Sequence, residues 1–262
     1  MPVRKRFGQH FLHDPGVIRR IIDAVAPEAC DRIVEIGPGR GALTWGLLER
    51  TKRLDVIEID RDLAQALKAD PRAKSGLQVH VENVLDTDFI RLRGTGEPLR
   101  VVGNLPYNIS TPLLFRLLAQ RAAISEMYFM LQKEVVERMV AQPGTKDYGR
   151  LTVMLAAATE VESLFDVDPG AFQPRPKVWS AIVRLRPAEN PRFDIGENGA
   201  LRTLVTAAFS HRRKTLRNSL KGLLASQDIE SCGIDPQLRP ETLAPSQFGR
   251  LAAHYSRLVG YT

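Results

Sequence analysis

The sequence has few cysteines and no long apolar run. Its two cysteines, Cys30 and Cys232, lie far apart, so they predict neither a disulfide framework nor a zinc site. No apolar stretch approaches the roughly 20 residues of a membrane-spanning helix, and the basic start MPVRKRFGQHFL lacks the apolar core of a signal peptide. His10 and His13 have no third ligand nearby, which argues against a metal site. We therefore expect a metal-free protein of the reducing cytoplasm with no membrane partner.

Positive charge is concentrated at the two ends of the 262-residue chain, whose net charge is +7. Residues 1–20 hold five Lys/Arg against one Asp, and residues 195–262 hold nine Lys/Arg against five Asp/Glu. Two basic regions around a near-neutral middle favour a polyanion that is bound at two places. A solvated surface would show the same excess, so composition leaves nucleic acid and plain surface charge as equal alternatives.

Apolar runs bounded by turn residues alternate with helical patterns, which predicts an α/β fold with a parallel sheet. The predicted parallel strands are 32–36, 54–59, 77–81, 99–102 and 127–131. Two later runs, 160–165 and 178–185, fit an antiparallel pair at one sheet edge. The polar stretch 186–199 resembles a linker, and only helical patterns follow it, at 200–209, 211–225 and 246–258. The pattern predicts domains at 1–187 and 188–262.

The segment EIGPGRGALT connects the first predicted strand to a helix. Its glycines, among them Gly37 and Gly39, let the backbone approach a ligand at the carboxyl end of a strand, and Glu35 precedes the turn. Glu58 ends the next strand about twenty residues later, where an acid accepts both ribose hydroxyls of an adenosine. Because the spacing differs from the dinucleotide fingerprint, the segment resembles that of S-adenosylmethionine-dependent methyltransferases. A plain tight turn and an NAD site are the alternatives.

The segment GNLPY delivers an amide, a rigid turn and an aromatic ring to the same sheet edge. An exocyclic adenine nitrogen is a poor nucleophile, because its lone pair is conjugated into the ring. Acceptors on its two protons would localise that lone pair, and the Asn104 side chain and the Leu105 carbonyl are the candidates, with Pro106 fixing the turn. Tyr107 would stack on a flipped-out base. The predicted target is a base amino nitrogen, with a glutamine amide or a plain strand-end turn as alternatives.

Several motifs together resemble the bacterial small-subunit (16S) ribosomal RNA adenine dimethyltransferase family over nearly the whole chain. They are GQHFL, EIGPGRGALT, EID, GNLPYNISTPLLF, FMLQKEVVERM, YGRLTV, FQPRPKVWSAIVRL and HRRKTLRNSL. The resemblance implies a Rossmann-like class I methyltransferase sheet with helices on both faces and a small all-helical C-terminal domain. It further implies dimethylation of two adjacent adenosines in the last hairpin loop of 16S rRNA, on a small-subunit particle late in assembly.

The resemblance also assigns roles to individual residues. His10 and Leu12 would cover the cofactor, Gly37 would lie under its amino-acid part, and Asn83 would face its adenine. Asn104 would touch both the cofactor and the target base, which Tyr107 and Phe172 would clamp. The predicted cofactor-binding residues are thus His10, Leu12, Glu35, Gly37, Gly39, Glu58, Asn83 and Asn104. His10 and Asn83 stand where the family commonly has asparagine and aspartate. The hydrogen bond that Asn83 accepts from the adenine amino group would therefore lose its charge assistance.

Two basic segments are candidates for RNA binding. The stretch 211–225 has the pattern of an amphipathic helix, with Phe209, Leu216, Leu220 and Leu223 on one face and a basic stripe beside it. Such a stripe would contact phosphates independently of sequence, although a solvated face is the alternative. The predicted RNA-binding residues are Arg4, Lys5, Arg6, Arg212, Arg213, Lys214, Arg217 and Lys221. We expect a monomer.

Two other functions compete with rRNA dimethylation. One is a non-catalytic assembly checkpoint factor that occupies the immature subunit. The other is methylation of DNA, or of another rRNA, at adenine N6. A DNA enzyme would need a domain that reads a groove, and the C-terminal helical region looks small for that task.

Overall fold

The computed structural model describes residues 10–106, 109–197, 199–211 and 213–260. The described chain forms two compact units, the first extending to Val136 and including Glu162–Pro187, and the second comprising Glu137–Val161 and the residues from Ala188 onward. The predicted domain 1–187 therefore wrongly included residues 137–161. These residues belong to the second unit because Val153 and Ala157 are buried in its hydrophobic cluster.

The first unit is built on a mixed sheet whose strands occur in the order β4-β3-β2-β5-β6-β9-β7. Strands β2 to β6 are parallel, and β9 runs antiparallel to β6. A separate pair of short strands, β1 and β8, is antiparallel. The strands are β1 (Phe11–Leu12), β2 (Ile33–Ile36), β3 (Leu54–Ile57), β4 (Leu77–His80), β5 (Leu99–Asn104), β6 (Ile124–Gln132), β7 (Thr159–Val167), β8 (Phe172–Gln173) and β9 (Ser180–Pro187).

Helices follow the strands and cover the sheet. They are α1 (Pro15–Val25), α2 (Thr44–Arg50), α3 (Arg61–Ala69), α4 (Phe89–Arg93), α5 (Ser110–Ala119) and α6 (Lys133–Val140). Helix α1 begins where Asp14 accepts hydrogen bonds from the backbone nitrogens of Gly16 and Val17, and Asp60 caps α3 in the same way. The result is the predicted Rossmann-like sheet with helices on both faces.

The seven predicted strands are confirmed, with ends that differ from the prediction by at most three residues. They were predictable because β2 and β3 are buried along their whole length, as expected for strands covered on both faces. Strands β1 and β8 have two residues each, too few for a recognisable alternation. These two strands were not predicted, although they line or border the candidate active site.

The second unit is helical. Its helices are α7 (Arg150–Ala158), α8 (Ala200–Ala208), α9 (Leu216–Ser219), α10 (Ser226–Ser231) and α11 (Pro245–Gly260). They surround a buried cluster that contains Leu204, Leu216 and Phe248. The Tyr148 hydroxyl donates to the Leu243 carbonyl at 2.7 Å, and burial raises the pKa of this phenol.

The prediction of one continuous helix over 211–225 is wrong. Among the described residues of this stretch, only Leu216–Ser219 is α-helical, and Gly222 has a φ of +90°, in the left-handed region where glycine is favoured. The apolar spacing misled the prediction because Leu216 and Leu220 are indeed buried. They reach the core from a short helical turn rather than from one face of a long helix, so Arg213, Arg217 and Lys221 do not form a stripe on one helix.

Candidate active site

The carboxyl ends of four neighbouring strands, β4, β3, β2 and β5, surround a cavity of about 310 Å³ in the first unit. This volume lies at the lower end of the range for small-molecule sites. The cavity is lined by every residue predicted to bind a cofactor and by three of the predicted catalytic residues. These are His10, Leu12, Glu35, Gly37, Gly39, Glu58, Asn83, Asn104, Leu105 and Pro106. The sequence motifs therefore meet at one place.

The glycine turn after β2 adopts a conformation that only glycine accepts without strain. Gly37 and Gly39 have φ values of +65° and +57°. A Cβ atom on Gly39 would lie 3.2 Å from the Phe11 ring, which in turn lies 4.4 Å from the Arg40 guanidinium carbon. The backbone of the turn therefore lines the cavity without side chains, and the absence of a Cβ atom on Gly39 leaves room for the Phe11 ring of β1.

Glu58 lines the cavity next to the glycine turn and is 4% exposed. One carboxylate oxygen accepts from the Gly39 nitrogen at 3.1 Å, and the other accepts from the Asp60 nitrogen at 2.9 Å. Burial raises the pKa of Glu58, although these backbone hydrogen bonds oppose the shift. The two bonds fix the carboxylate beside the glycine turn, the position expected for a ribose acceptor.

Glu35 is a second buried carboxyl in the cavity wall. The Thr44 hydroxyl donates to it at 2.6 Å. Burial, together with the nearby charge of Glu58, raises its pKa to about 8, against the effect of the Thr44 hydrogen bond. Glu35 is therefore largely protonated at neutral pH.

The amide of Asn104 has a defined orientation. Its nitrogen Nδ2 donates to the His10 carbonyl at 3.0 Å, so its oxygen Oδ1 is the atom left to accept from a substrate in the cavity. The Nδ1 atom of the His10 ring lies 2.7 Å from the carbonyl oxygen of Pro174. The residues next to β1 and β8 thus hold the Asn104 amide in place.

Asn83 lies at the cavity edge after β4 with both ends of its amide engaged. Its Nδ2 donates to Asp86 at 3.0 Å, and its Oδ1 accepts from the Leu85 nitrogen at 3.1 Å. A carbonyl oxygen has two lone pairs, so Oδ1 can accept one further hydrogen bond. The structure therefore fixes the side chain that was predicted to face the adenine.

The structure contradicts the prediction that Phe172 clamps a base. Its ring is 2% exposed and packs in the hydrophobic core with Leu12, its partner in the β1–β8 ladder. Side chains alternate along a strand, so Gln173 is the exposed residue and Phe172 the buried one. Tyr107, the other predicted clamp, lies outside the described residues.

The predicted RNA-binding residues are only partly described. Arg213, Lys214, Arg217 and Lys221 are all exposed on the second unit, and Arg217 and Lys221 border a shallow depression. Arg4, Lys5, Arg6 and Arg212 lie outside the described residues.

Sequence reasoning missed several residues of the cavity wall. Phe11, Arg40 and Ile59 line the cavity, and Thr44 positions Glu35. All four belong to motifs that were singled out, but their roles depend on contacts between segments far apart in the chain. No local pattern could have suggested these roles, since strand β1, which contains Phe11, is too short to show an alternation.

Within the described ranges, no helix is long and apolar enough to cross a membrane. The same residues contain no group of three or more His, Cys, Asp or Glu side chains placed to hold a metal ion.

Comparison with known proteins identifies the family. The family model described as Ribosomal RNA adenine dimethylase matches residues 2–256. The chain belongs to this family. It is thus an rRNA adenine dimethyltransferase, and the family's dependence on S-adenosylmethionine implies that cofactor for the cavity.

Curated relatives agree with this assignment. The chain is 54% identical to the Ribosomal RNA small subunit methyltransferase A of Pseudomonas aeruginosa, over 98% of this chain and 96% of the relative. It is 51% identical to the protein of the same name from a Marinomonas species, over 98% and 97%.

Solved structures share the fold. A dimethyladenosine transferase from Plasmodium falciparum superposes with a TM-score of 0.76 at 28% identity, covering 92% of this chain and 96% of that one. The 23S rRNA methyltransferase ErmE superposes with a TM-score of 0.71 at 28% identity, covering 93% and 98%.

Proposed function

We propose that the protein transfers methyl groups from S-adenosylmethionine to the N6 amino groups of two adjacent adenosines in the 3′-terminal hairpin loop of 16S rRNA, late in small-subunit assembly. The observation that carries the proposal is the meeting of Asn104, Leu105 and Pro106 with the glycine turn and Glu58 in one cavity. The printed name of the curated relatives, small subunit methyltransferase A, supports the choice of ribosomal subunit.

The described residues fit the cofactor. Bare backbone at Gly37 and Gly39 admits its amino-acid part, and the doubly held carboxylate of Glu58 suits its ribose hydroxyls. Asn83 would accept from its adenine amino group, and His10 and Leu12 would cover it. When bound, the cofactor supplies an electrophilic methyl group on a sulfonium.

Asn104 and the Leu105 carbonyl would prepare the nucleophile. Because the His10 carbonyl occupies the Asn104 nitrogen, Oδ1 would accept one N6 proton while the Leu105 carbonyl accepts the other. Two acceptors localise the nitrogen lone pair and point it at the methyl group. The alkylated nitrogen is acidic and loses its proton to water, so catalysis consists mainly of alignment and needs no strong base. Tyr107 remains the proposed stacking partner for the base.

The RNA would be held by exposed cations. We assign this role to Arg213, Lys214, Arg217 and Lys221 on the second unit, and to the predicted Arg4, Lys5, Arg6 and Arg212. Phosphate contacts of this kind position the substrate without reading its sequence. RNA shape would then select the target, in a monomeric protein of the cytoplasm.

The test is methyl transfer from labelled S-adenosylmethionine to small subunits isolated from cells that lack this modification. Nuclease digestion and mass analysis should give N6,N6-dimethyladenosine from the 3′-terminal hairpin. Incorporation into duplex DNA without incorporation into rRNA would favour a DNA enzyme. Tight binding to the particle without any transfer would favour a non-catalytic assembly factor.

A further inference from the structure

Trp179 is an exposed aromatic residue that the proposed mechanism does not use. It is 49% exposed, and its neighbour Val178 is 43% exposed. Both close the loop 173–179, in which Arg175 and Lys177 are also exposed. Large apolar side chains that stay in water next to cations suggest a binding surface rather than a packing role.

The strand register places Trp179 at the same sheet edge as the candidate active site. Asn104 on β5 lies opposite Met130 on β6, and Met130 lies opposite Ile182 on β9. Because β9 is antiparallel to β6, Trp179 lies three residues beyond Ile182 toward the carboxyl edge, about 10 Å along the strand direction. Two strand spacings add about 10 Å sideways. The two components place the backbone of Trp179 about 14 Å from that of Asn104, at the same edge of the sheet.

Both ends of the loop are fixed to elements of the site. At its start, Gln173 pairs with Phe11 of the cavity wall, and the Pro174 carbonyl is 2.7 Å from the His10 ring nitrogen. At its end, the Trp179 carbonyl accepts from the Lys133 nitrogen at 2.9 Å. The loop thus holds its exposed side chains in a defined place relative to the cavity.

One cation lies beside the indole, and two more belong to the same loop. The Lys133 ammonium lies 6.0 Å from the ring centroid, at the limit of a cation–π contact, and also pairs with Asp166. Arg175 lies 3.7 Å from Asp168, with both side chains more than half exposed, and Lys177 is exposed. Asp166 and Asp168 partly balance these charges. Between Gln173 and Trp179, however, the two charged residues of the loop are both cations.

We propose that this surface, formed by Lys133, Arg175, Lys177, Val178 and Trp179 and called here the Trp179 platform, binds an unpaired nucleotide of the RNA next to the target adenosine. The indole stacks on the base, and the cations contact the adjacent phosphates. The inference rests on the proposed function, because it requires an RNA substrate in the cavity.

The chemistry favours a single-stranded nucleic acid over a protein partner. Stacking on an aromatic side chain needs a base whose face is free, which a loop or a single strand offers and a duplex does not. The adjoining arginine and lysine suit a phosphate chain. Binding by such a platform tolerates any base, so it adds affinity and positioning without selecting a sequence.

The first test compares steady-state kinetics on undermethylated small subunits. Trp179→Ala should raise KM about 5- to 20-fold with kcat nearly unchanged, the loss expected for one base–aromatic stack. Trp179→Tyr should restore most of the affinity, and Ile90→Ala, which removes an exposed apolar side chain of α4 outside the platform, serves as the control. Unchanged KM in Trp179→Ala, with active wild type, overturns the platform and leaves the proposed function intact. Inactive wild type would instead remove the proposed function.

The second test identifies the partner by fluorescence. The chain has two tryptophans, so the variant Trp45→Phe leaves Trp179 as the single indole. A single-stranded oligoribonucleotide of the hairpin-loop sequence should quench its emission, whereas the same sequence in a duplex should quench it at least tenfold less. If the emission changes with ribosomal protein but not with the oligoribonucleotide, the surface contacts a protein, and that result would contradict the proposal.

Discussion

The polar groups of the cavity in the first unit and the exposed cations of the second unit are held in opposite ways. In the cavity, Glu58, Glu35 and Asn104 are buried or half-buried, and each is held by a hydrogen bond to a named partner. On the second unit, Arg213, Arg217 and Lys221 are exposed on short turns. Fixed polar groups suit a reaction that depends on alignment, whereas exposed cations suit a partner that is bound through charge.

The largest effect on activity should come from removing the Asn104 amide, the proposed acceptor for a proton of the target amino group. We expect Asn104→Ala to lower kcat about 10²- to 10³-fold, the usual result of removing one positioned hydrogen-bonding group. Affinity for small subunits should change less than twofold, because the phosphate contacts lie elsewhere. Labelled methyl transfer and a filter-binding assay measure the two quantities. Asn190→Ala, an exposed asparagine in the linker, is the control, and normal transfer by Asn104→Ala would disprove the mechanism.

The buried Glu35 makes stability depend on pH. Its pKa is about 8 in the folded protein and near 4.5 when unfolded, so between these values only the folded state keeps the proton. The free energy of unfolding therefore falls as pH rises from 4.5 to about 8. Between pH 4.5 and pH 7, the free energy of unfolding of the wild-type protein should fall by about 3 kcal/mol more than that of Glu35→Gln.

Urea denaturation of the cofactor-free protein at pH 5 to 8.5 measures this difference. Glu49→Gln, which changes an exposed carboxyl of α2, is the control and should leave the pH dependence unchanged. Parallel stability curves for wild type and Glu35→Gln would show that the carboxyl is ionised in the folded state.

The basic surface should show a smaller effect that depends on salt. Replacing Arg213, Arg217 and Lys221 together by alanine should weaken RNA binding about tenfold at low salt. The slope of log K against log salt should become less steep by about 2, since each lost phosphate contact contributes about 0.7 for single strands. Lys68→Ala, an exposed lysine on α3, is the control. An unchanged slope would mean that these cations do not contact phosphates.

The smallest expected effect is on stability, and it comes from the backbone conformation of Gly222, next to Lys221. Gly222→Ala places a side chain at a φ of +90°, where no neighbouring atom lies within 4 Å of the new Cβ, so only backbone strain opposes it. We expect a loss of about 1 kcal/mol in the free energy of unfolding. Gly149→Ala, at an extended φ of −177° and also with open space, should cost less. A stabilised Gly222→Ala would mean that the segment prefers the continuous helix.

Prediction from sequence succeeded where a single segment contains the whole signal. Glu58 follows an apolar strand and Asn104 ends another, and the carboxyl ends of neighbouring parallel strands must meet. The prediction failed for Phe172 because the two-residue strand β8 is too short to reveal which of its side chains faces inward. It failed for 211–225 because burial of Leu216 and Leu220 at helical spacing also fits a short turn.

The sequence by itself determined the parallel sheet, the order of its strands along the chain and the residue types at their carboxyl ends, because these depend on local apolar patterns and turns. Only the tertiary structure decided the orientation of the Asn104 amide, the raised pKa of Glu35 and the burial of Phe172. Each of these depends on contacts with other segments of the chain. The Asn104 amide is oriented by the His10 carbonyl, the pKa of Glu35 is raised by burial and to a lesser extent by the Glu58 charge, and Phe172 packs against Leu12. No local pattern encodes such contacts, since they exist only after strands distant in sequence have paired.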